Sequence, residues 1–181
     1  CITDTKGSHA DLTDDYAMIP QEMKKVAGFF GKEYLREVDP EEFYKNIPGI
    51  RKECGDRPVL RALHFFEEDQ RVEQEVAALQ AGDFQKFLDT VQESGDSSFK
   101  YLQNIYTNKD VQNQSVSMGL ALSDTILPGH GASRVHGGGF AGTIQAFVSD
   151  SFVEEYRQAL DSLYGEGSCH VLKVRPFGGI K

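Results

Sequence analysis

The segment Arg134-Val-His-Gly-Gly-Gly-Phe-Ala-Gly-Thr-Ile-Gln-Ala-Phe-Val148 constrains this chain more than any other stretch. Three consecutive glycines, an aromatic residue and a further glycine lead into a run where Ile144, Ala146 and Val148 alternate with Thr143, Gln145 and Phe147. That alternation reads as a half-buried strand, because successive strand side chains point to opposite faces. Ahead of it, the missing side chains let the backbone turn sharply and let its N–H groups approach a ligand or another loop. The segment lacks the Gly-Lys-Ser/Thr ending of a P-loop and the spaced glycines of a dinucleotide fingerprint. Shape alone describes a tight turn between two strands, with or without a ligand.

Around this turn the patterns alternate between the two periodicities. Cys1 to Thr5 reads as a strand, and Thr13–Asp15 is a helix-start signal after a polar stretch. Pro20 is expected in the first turn of a helix that shares Met23, Val26, Ala27 and Phe30 on one face and stops at Gly31. Asp39-Pro-Glu-Glu-Phe43 predicts a short capped helix, and Pro48 to Pro58 a connection. Val59 to Leu79 is helical, with Leu63, Phe66, Val72, Val76 and Leu79 amid charges. Gly82-Asp83 breaks it, and Asp83 caps a helix carrying Phe84, Phe87, Leu88 and Val91 at i, i+3, i+4 and i+7.

Gly95 to Tyr106 and Val111 to Leu127 read as further helices. Ser151 and Glu154 predict a capping box for a helix burying Phe152, Tyr156, Leu160 and Leu163, closed by Gly165. Val171 to Arg175 is the last expected strand. The order strand, helices, strand, glycine turn, strand, helix, strand points to an α+β fold. Its plan is one antiparallel sheet of the split β-α-β (ferredoxin-like) kind, with helices over one face. Residues 1–181 are expected to form a single domain.

Charge and cysteine content narrow the partners. With 19 Lys+Arg against 28 Asp+Glu, a net charge of -9 argues against nucleic acid or an anionic membrane as partner. No apolar run reaches the roughly 20 residues of a membrane span. Cys1, Cys54 and Cys169 make neither a disulfide scaffold nor a metal spacing, so a soluble, cytoplasmic protein is expected. A leading cysteine can be an amine-activated nucleophile. Here it already lies in a strand pattern, so position 1 reads as a cut within a longer protein.

Residue chemistry by itself does not reach a reaction. His9, His64, His130, His136 and His170 are scattered, without the converging spacing a zinc site needs. His64 with Arg61, Glu67, Glu68 and Arg71 reads as a charge network on a helix surface. Asp11, Asp14 and Asp15 could ligate a cation, but helix capping explains them as well and is preferred. Cys169 and His170 are adjacent on a strand pattern and point to opposite faces, which rules them out as a catalytic pair. A tyrosine in a first helical turn, such as Tyr16, usually packs its ring and leaves its hydroxyl in water.

Three ordered stretches carry a family resemblance. Ser133 to Val148 resembles the third conserved motif of the GHMP small-molecule kinases in its galactokinase form, roughly Ala-Arg-Met-Thr-Gly-Gly-Gly-Phe-Gly-Gly-Cys before an apolar strand. Arg61-Ala-Leu-His64 with Glu68, Arg71-Val72, Ala78-Leu79 and Gly82-Asp83 is similar to the galactokinase helical segment. His9 to Tyr16 is similar to the stretch that ends Ser-Glu-Tyr in the family, here Asp14-Asp15-Tyr16.

The resemblance implies the C-terminal domain of a kinase that transfers the ATP γ-phosphate to the anomeric hydroxyl of galactose or a related hexose. The N-terminal half would be the missing partner, bringing the phosphate loop, the catalytic residues and the Mg²⁺ ligands. On that reading ATP and Mg²⁺ belong to the parent enzyme, no catalytic residue or metal ligand lies in this chain, and the chain alone is inactive. His136, Gly137, Gly138, Gly139, Phe140, Ala141 and Gly142 would form the loop near the phosphates, and Tyr16 would contact the sugar.

The departures are Ile19-Pro20 for the family's paired arginines, Ser94-Gly95 for a Ser-His pair, and His136, Ala141 and Thr143 for Thr, Gly and Cys. They leave a non-catalytic sugar-binding or regulatory module of the same fold as the alternative.

Overall fold

Four short strands carry the glycine turn. In the computed structural model, which describes residues 1–8 and 11–176, β1 (Ile2–Asp4), β2 (Gly131–His136), β3 (Thr143–Val148) and β4 (Cys169–His170) form one sheet ordered β2-β3-β1-β4. Every neighbouring pair is antiparallel, with Val135 opposite Ile144, Ile144 opposite Thr3, and Thr3 opposite Cys169. This is the expected split β-α-β order. His9 lies outside the described residues.

The connection from β1 to β2 holds α1 (Thr13–Phe29), α2 (Pro40–Cys54), α3 (Asp56–Ala81), α4 (Phe84–Ser97) and α5 (Ser115–Ile126). The connection from β3 to β4 is α6 (Val153–Tyr164). Helices α5 and α6 cover the face that presents Val135, Ile144, Ala146 and Cys169, burying Val116, Tyr156 and Leu160 against it. The other face was expected bare, yet at the β2 edge Ala132 and Phe147 pack on Phe87 and Val91 of α4. A second core joins α1, α2 and α3 through Val26, Phe43, Ile50, Ala62 and Phe66.

Local signals place several boundaries well. Asp39 caps α2 by accepting from Glu41 N–H and Glu42 N–H, and Asp83 caps α4 by accepting from Lys86 N–H. Gly82 takes the left-handed conformation (φ 70°) that closes α3.

Elsewhere packing overrides them. Helix α1 begins at Thr13, so Pro20 lies inside it rather than in its first turn, and α2 runs through Pro48 to Cys54 where a connection was expected. A proline inside a helix costs about 3 kcal/mol. Full burial of Phe43 and Ile50, worth about 1.5–3 kcal/mol each, offsets that in α2.

The expected helix over 95–106 breaks. After α4 the chain makes a π-helical turn, Ser98–Leu102, and Gln103 then adopts a left-handed φ of 57°. Residue Val111 belongs to a turn in which Asp110 accepts from Gln112 N–H and Asn113 N–H, so α5 starts only at Ser115. The Ser151–Glu154 capping box is absent, because Glu154 is drawn to Arg157 and the helix starts from Phe152 without a side-chain cap. Leu163 is exposed rather than buried.

Strand β4 is Cys169–His170, paired with Ile2 and Thr3 of β1, and 171–175 is not a strand. Val72, Val76 and Leu79 are each about half exposed on the side of α3 turned from both cores. Cys169 is buried and His170 exposed, opposite faces as expected.

Candidate functional site

The β2–β3 ladder closes with His136 opposite Thr143, and residues 137–142 form the loop between them. Gly137, Gly139 and Gly142 have φ of 72°, 82° and 99°, a region where a side chain is strained. Phe140 is also left-handed, at φ 59°, with Ala141 N–H donating to Gly139 O at 2.7 Å around it. Such a tight three-residue turn centred on an aromatic residue persists only where its surroundings hold it.

Two residues far apart in the chain do so. The Tyr16 hydroxyl donates to Gly139 O at 2.8 Å, and its ring meets Phe140 edge-on with centroids 5.3 Å apart. Tyr16 was expected to leave its hydroxyl in water, but the loop takes it, and burial pushes its pKa up. From the other side Asn104 Nδ2 donates to Gly138 O at 3.2 Å, while Asn104 O accepts from Phe140 N–H at 2.5 Å. Thr5 anchors the loop's far end, giving N–H and hydroxyl bonds of 2.8 and 2.7 Å to Gly142 O. Ala141 and Phe140 are buried against Leu12, Tyr16 and Ile19.

The peptide group is planar and trans, so a carbonyl turned inward turns the next N–H outward. With Gly138 O drawn to Asn104, the Gly139 N–H faces away from it. His136 is exposed at the edge of the turn, with Nδ1 3.3 Å from Gln145 Oε1. A cleft of about 780 Å³ opens beside the loop, walled in part by Phe140, Ala141, Lys6, Lys109 and Ser115.

A polar network supports β2 from below. Glu68 on α3 accepts from Ser94 on α4, from Arg71 at 2.7 Å and from Arg134 on β2 at 3.1 Å. Burial works against ionising Glu68, yet the Ser94 hydrogen bond and the Arg134 and Arg71 charges hold its carboxyl below the ordinary value. His64 was expected on a charged helix surface, but it is 7% exposed, with Nδ1 2.9 Å from Ser97 Oγ. Burial lowers it to about 4, so the ring is neutral at pH 7. The misreading has a plain cause: α4 lies over this part of α3, which periodicity within α3 cannot reveal.

Arg61 is 2% exposed and donates to Glu22 at 2.8 Å and to Leu102 O at 3.0 Å, closing the π-helical turn that precedes Asn104. Arg57 grips the same Glu22. The acidic cluster does not cap α1: Leu12 precedes the helix without a side-chain cap. Asp14 and Asp15 instead pair with Lys109 at 3.3 and 3.4 Å, and Asp15 accepts from Thr107, tying the helix to the segment after Asn104. Among the described residues, no three His, Cys, Asp or Glu side chains gather as metal ligands. No described helix is long and apolar enough to cross a membrane.

Sequence reasoning missed Asn104. Its one signal was an asparagine in a stretch taken as helix, where Asn tends instead to bond nearby backbone.

No family model matches the chain. It is 29% identical over 163 residues to a galactokinase of Actinobacillus pleuropneumoniae serotype 5b, covering 90% of this chain and 40% of that protein. It is 32% identical over 164 residues to the galactokinase of Canis lupus familiaris, covering 90% and 38%. The chain is a galactokinase homologue. It spans about two fifths of the length of the curated relatives it matches. The crystal structure of Lactococcus lactis galactokinase complexed with galactose has the same fold, with a TM-score of 0.67 at 23% identity over 91% of this chain and 41% of that one.

Proposed function

We propose that this chain is the C-terminal domain of a galactokinase-like enzyme that transfers the ATP γ-phosphate to the anomeric hydroxyl of galactose or a related hexose. The observation that carries the reading is the loop 137–142 with two successive carbonyls drawn inward by Asn104 and Tyr16, on a chain homologous to galactokinases. Phosphoryl transfer is mostly positioning and electrostatics, and an outward N–H held in place supplies both to an anionic group. ATP and Mg²⁺ would be held chiefly by a preceding half of the protein. The loop would form the closing side of that phosphate site. Tyr16 would contact the sugar while bracing the loop. Alone, the chain would be inactive, and the whole protein cytoplasmic.

The test is ADP release by the full-length protein with ATP-Mg²⁺ and a panel of free hexoses, wild type beside Tyr16→Phe. Turnover with galactose supports the kinase. A rise in sugar KM on substitution supports contact with the sugar, whereas a fall in kcat alone limits the Tyr16 hydroxyl to bracing the loop. No turnover with any hexose favours the sugar-binding regulatory reading, with Ile19-Pro20 the departure nearest Tyr16 in the chain.

A further inference from the structure

We propose that Asn104 is a positioning residue for this loop: its side-chain amide fixes which face of the Gly138–Phe140 backbone is offered to an anionic phosphoryl group. The proposal rests on the phosphate-facing role given to the loop above.

Asn104 is 3% exposed and holds the centre of the loop through both backbone and side chain, as Thr5 does at the loop's far end. Its amide orientation is dictated by chemistry. Exchanging Oδ1 and Nδ2 would set an oxygen against Gly138 O, so the donor must face the loop. That choice leaves Asn104 Oδ1 buried without a hydrogen-bond partner among the described residues. Buried acceptors are normally satisfied, and one left so beside a strained loop marks a donation that the structure keeps at some expense.

The strut is itself anchored. Arg61 closes the π-helical turn at Leu102 O, and the left-handed Gln103 then delivers Asn104 to the loop. Arg61 is held by Glu22 on α1, the helix that also carries Tyr16. Asn104 and Tyr16 therefore grip consecutive carbonyls from two sides, and both grips trace back to α1. Neither grip uses the Gly139 N–H, which is directed away from Asn104.

The test compares wild type, Asn104→Asp and Asn104→Ala in the full-length protein. Asp keeps the shape but sets a carboxylate oxygen against Gly138 O, and Ala removes the donor without adding charge. Hydrogen exchange of the 137–142 amides is expected to speed up about tenfold or more in both variants, with α3 and α5 amides unchanged. In the ADP-release assay kcat should fall about tenfold or more in both, with sugar KM within about threefold of wild type. Unchanged loop exchange in both variants overturns the clamp. A kcat loss confined to Asn104→Asp overturns the positioning role, since charge alone would then explain it. Should wild type turn over no hexose, the kinase reading fails, and the exchange measurement still decides whether Asn104 holds the loop.

Discussion

Replacing Gly139 by alanine tests the loop geometry most directly. A Cβ at Gly139 would lie 2.7 Å from Asn104 Nδ2 and 2.9 Å from its carbonyl carbon, and would collide with the Asn104 carbonyl oxygen. Asn104 is buried and its backbone cannot retreat, so the loop must lift. Lifting breaks the bonds from Tyr16 to Gly139 O, from Asn104 to Gly138 O and from Phe140 N–H to Asn104 O. At about 1 kcal/mol net each, that is about 3 kcal/mol. Placing Ala at φ 82° adds about 1 kcal/mol more. Gly137 is the internal control, because it has φ 72° and nothing within 4 Å of its Cβ position. Gly137→Ala should cost only the conformational term of about 1 kcal/mol. Urea denaturation of the two variants side by side should therefore separate them by about 3 kcal/mol, a melting difference of about 6–12 °C. Equal losses in the two would refute the steric argument and the close approach of Asn104.

Three further outcomes follow from the same contacts. Glu22→Ala strands the buried Arg61 guanidinium and should cost about 3–5 kcal/mol in denaturant unfolding, and a loss below about 1 kcal/mol would show that Arg61 finds another partner. His64 is neutral when folded and faces Ser97 on α4, Glu68 and Arg71 on α3 and Arg134 on β2. Unfolding lets it take up a proton below its ordinary value of 6.5, so stability should fall as pH drops from 6.5 towards about 4. That slope should shrink in His64→Gln, followed by urea midpoints across the range, and an unchanged slope would assign it elsewhere. Ala141→Val adds bulk to a side chain that is already buried with Leu12 and Phe140, so kcat of the full-length protein should fall about tenfold. An unchanged kcat would leave the loop a purely structural turn.

Much of the frame could be read before any coordinates. The caps at Asp39 and Asp83, the stop at Gly82 and the alternation of β3 are short-range demands of backbone geometry, and each stands where its residues put it. Strand order followed from the same reasoning, since the split β-α-β plan is what that succession of periods allows. The glycine loop and the resemblance around it singled out the candidate site residues as a group. Their mutual contacts stayed out of reach.

What only the tertiary structure decided was set by partners distant in the chain. Tyr16 meets Gly139 across 123 positions, and Asn104 meets Gly138 across 34. Nothing near Asn104 in sequence encodes either the π-helical turn or the loop it reaches. Helices α1 and α2 continue through Pro20 and Pro48, in α2 because burial of Phe43 and Ile50 outweighs a local penalty. His64 is buried because α4 folds back over it. Sequence patterns report how a segment treats water and its own backbone. The third dimension decides which other segment replaces the water, and the loop's conformation depends on that replacement.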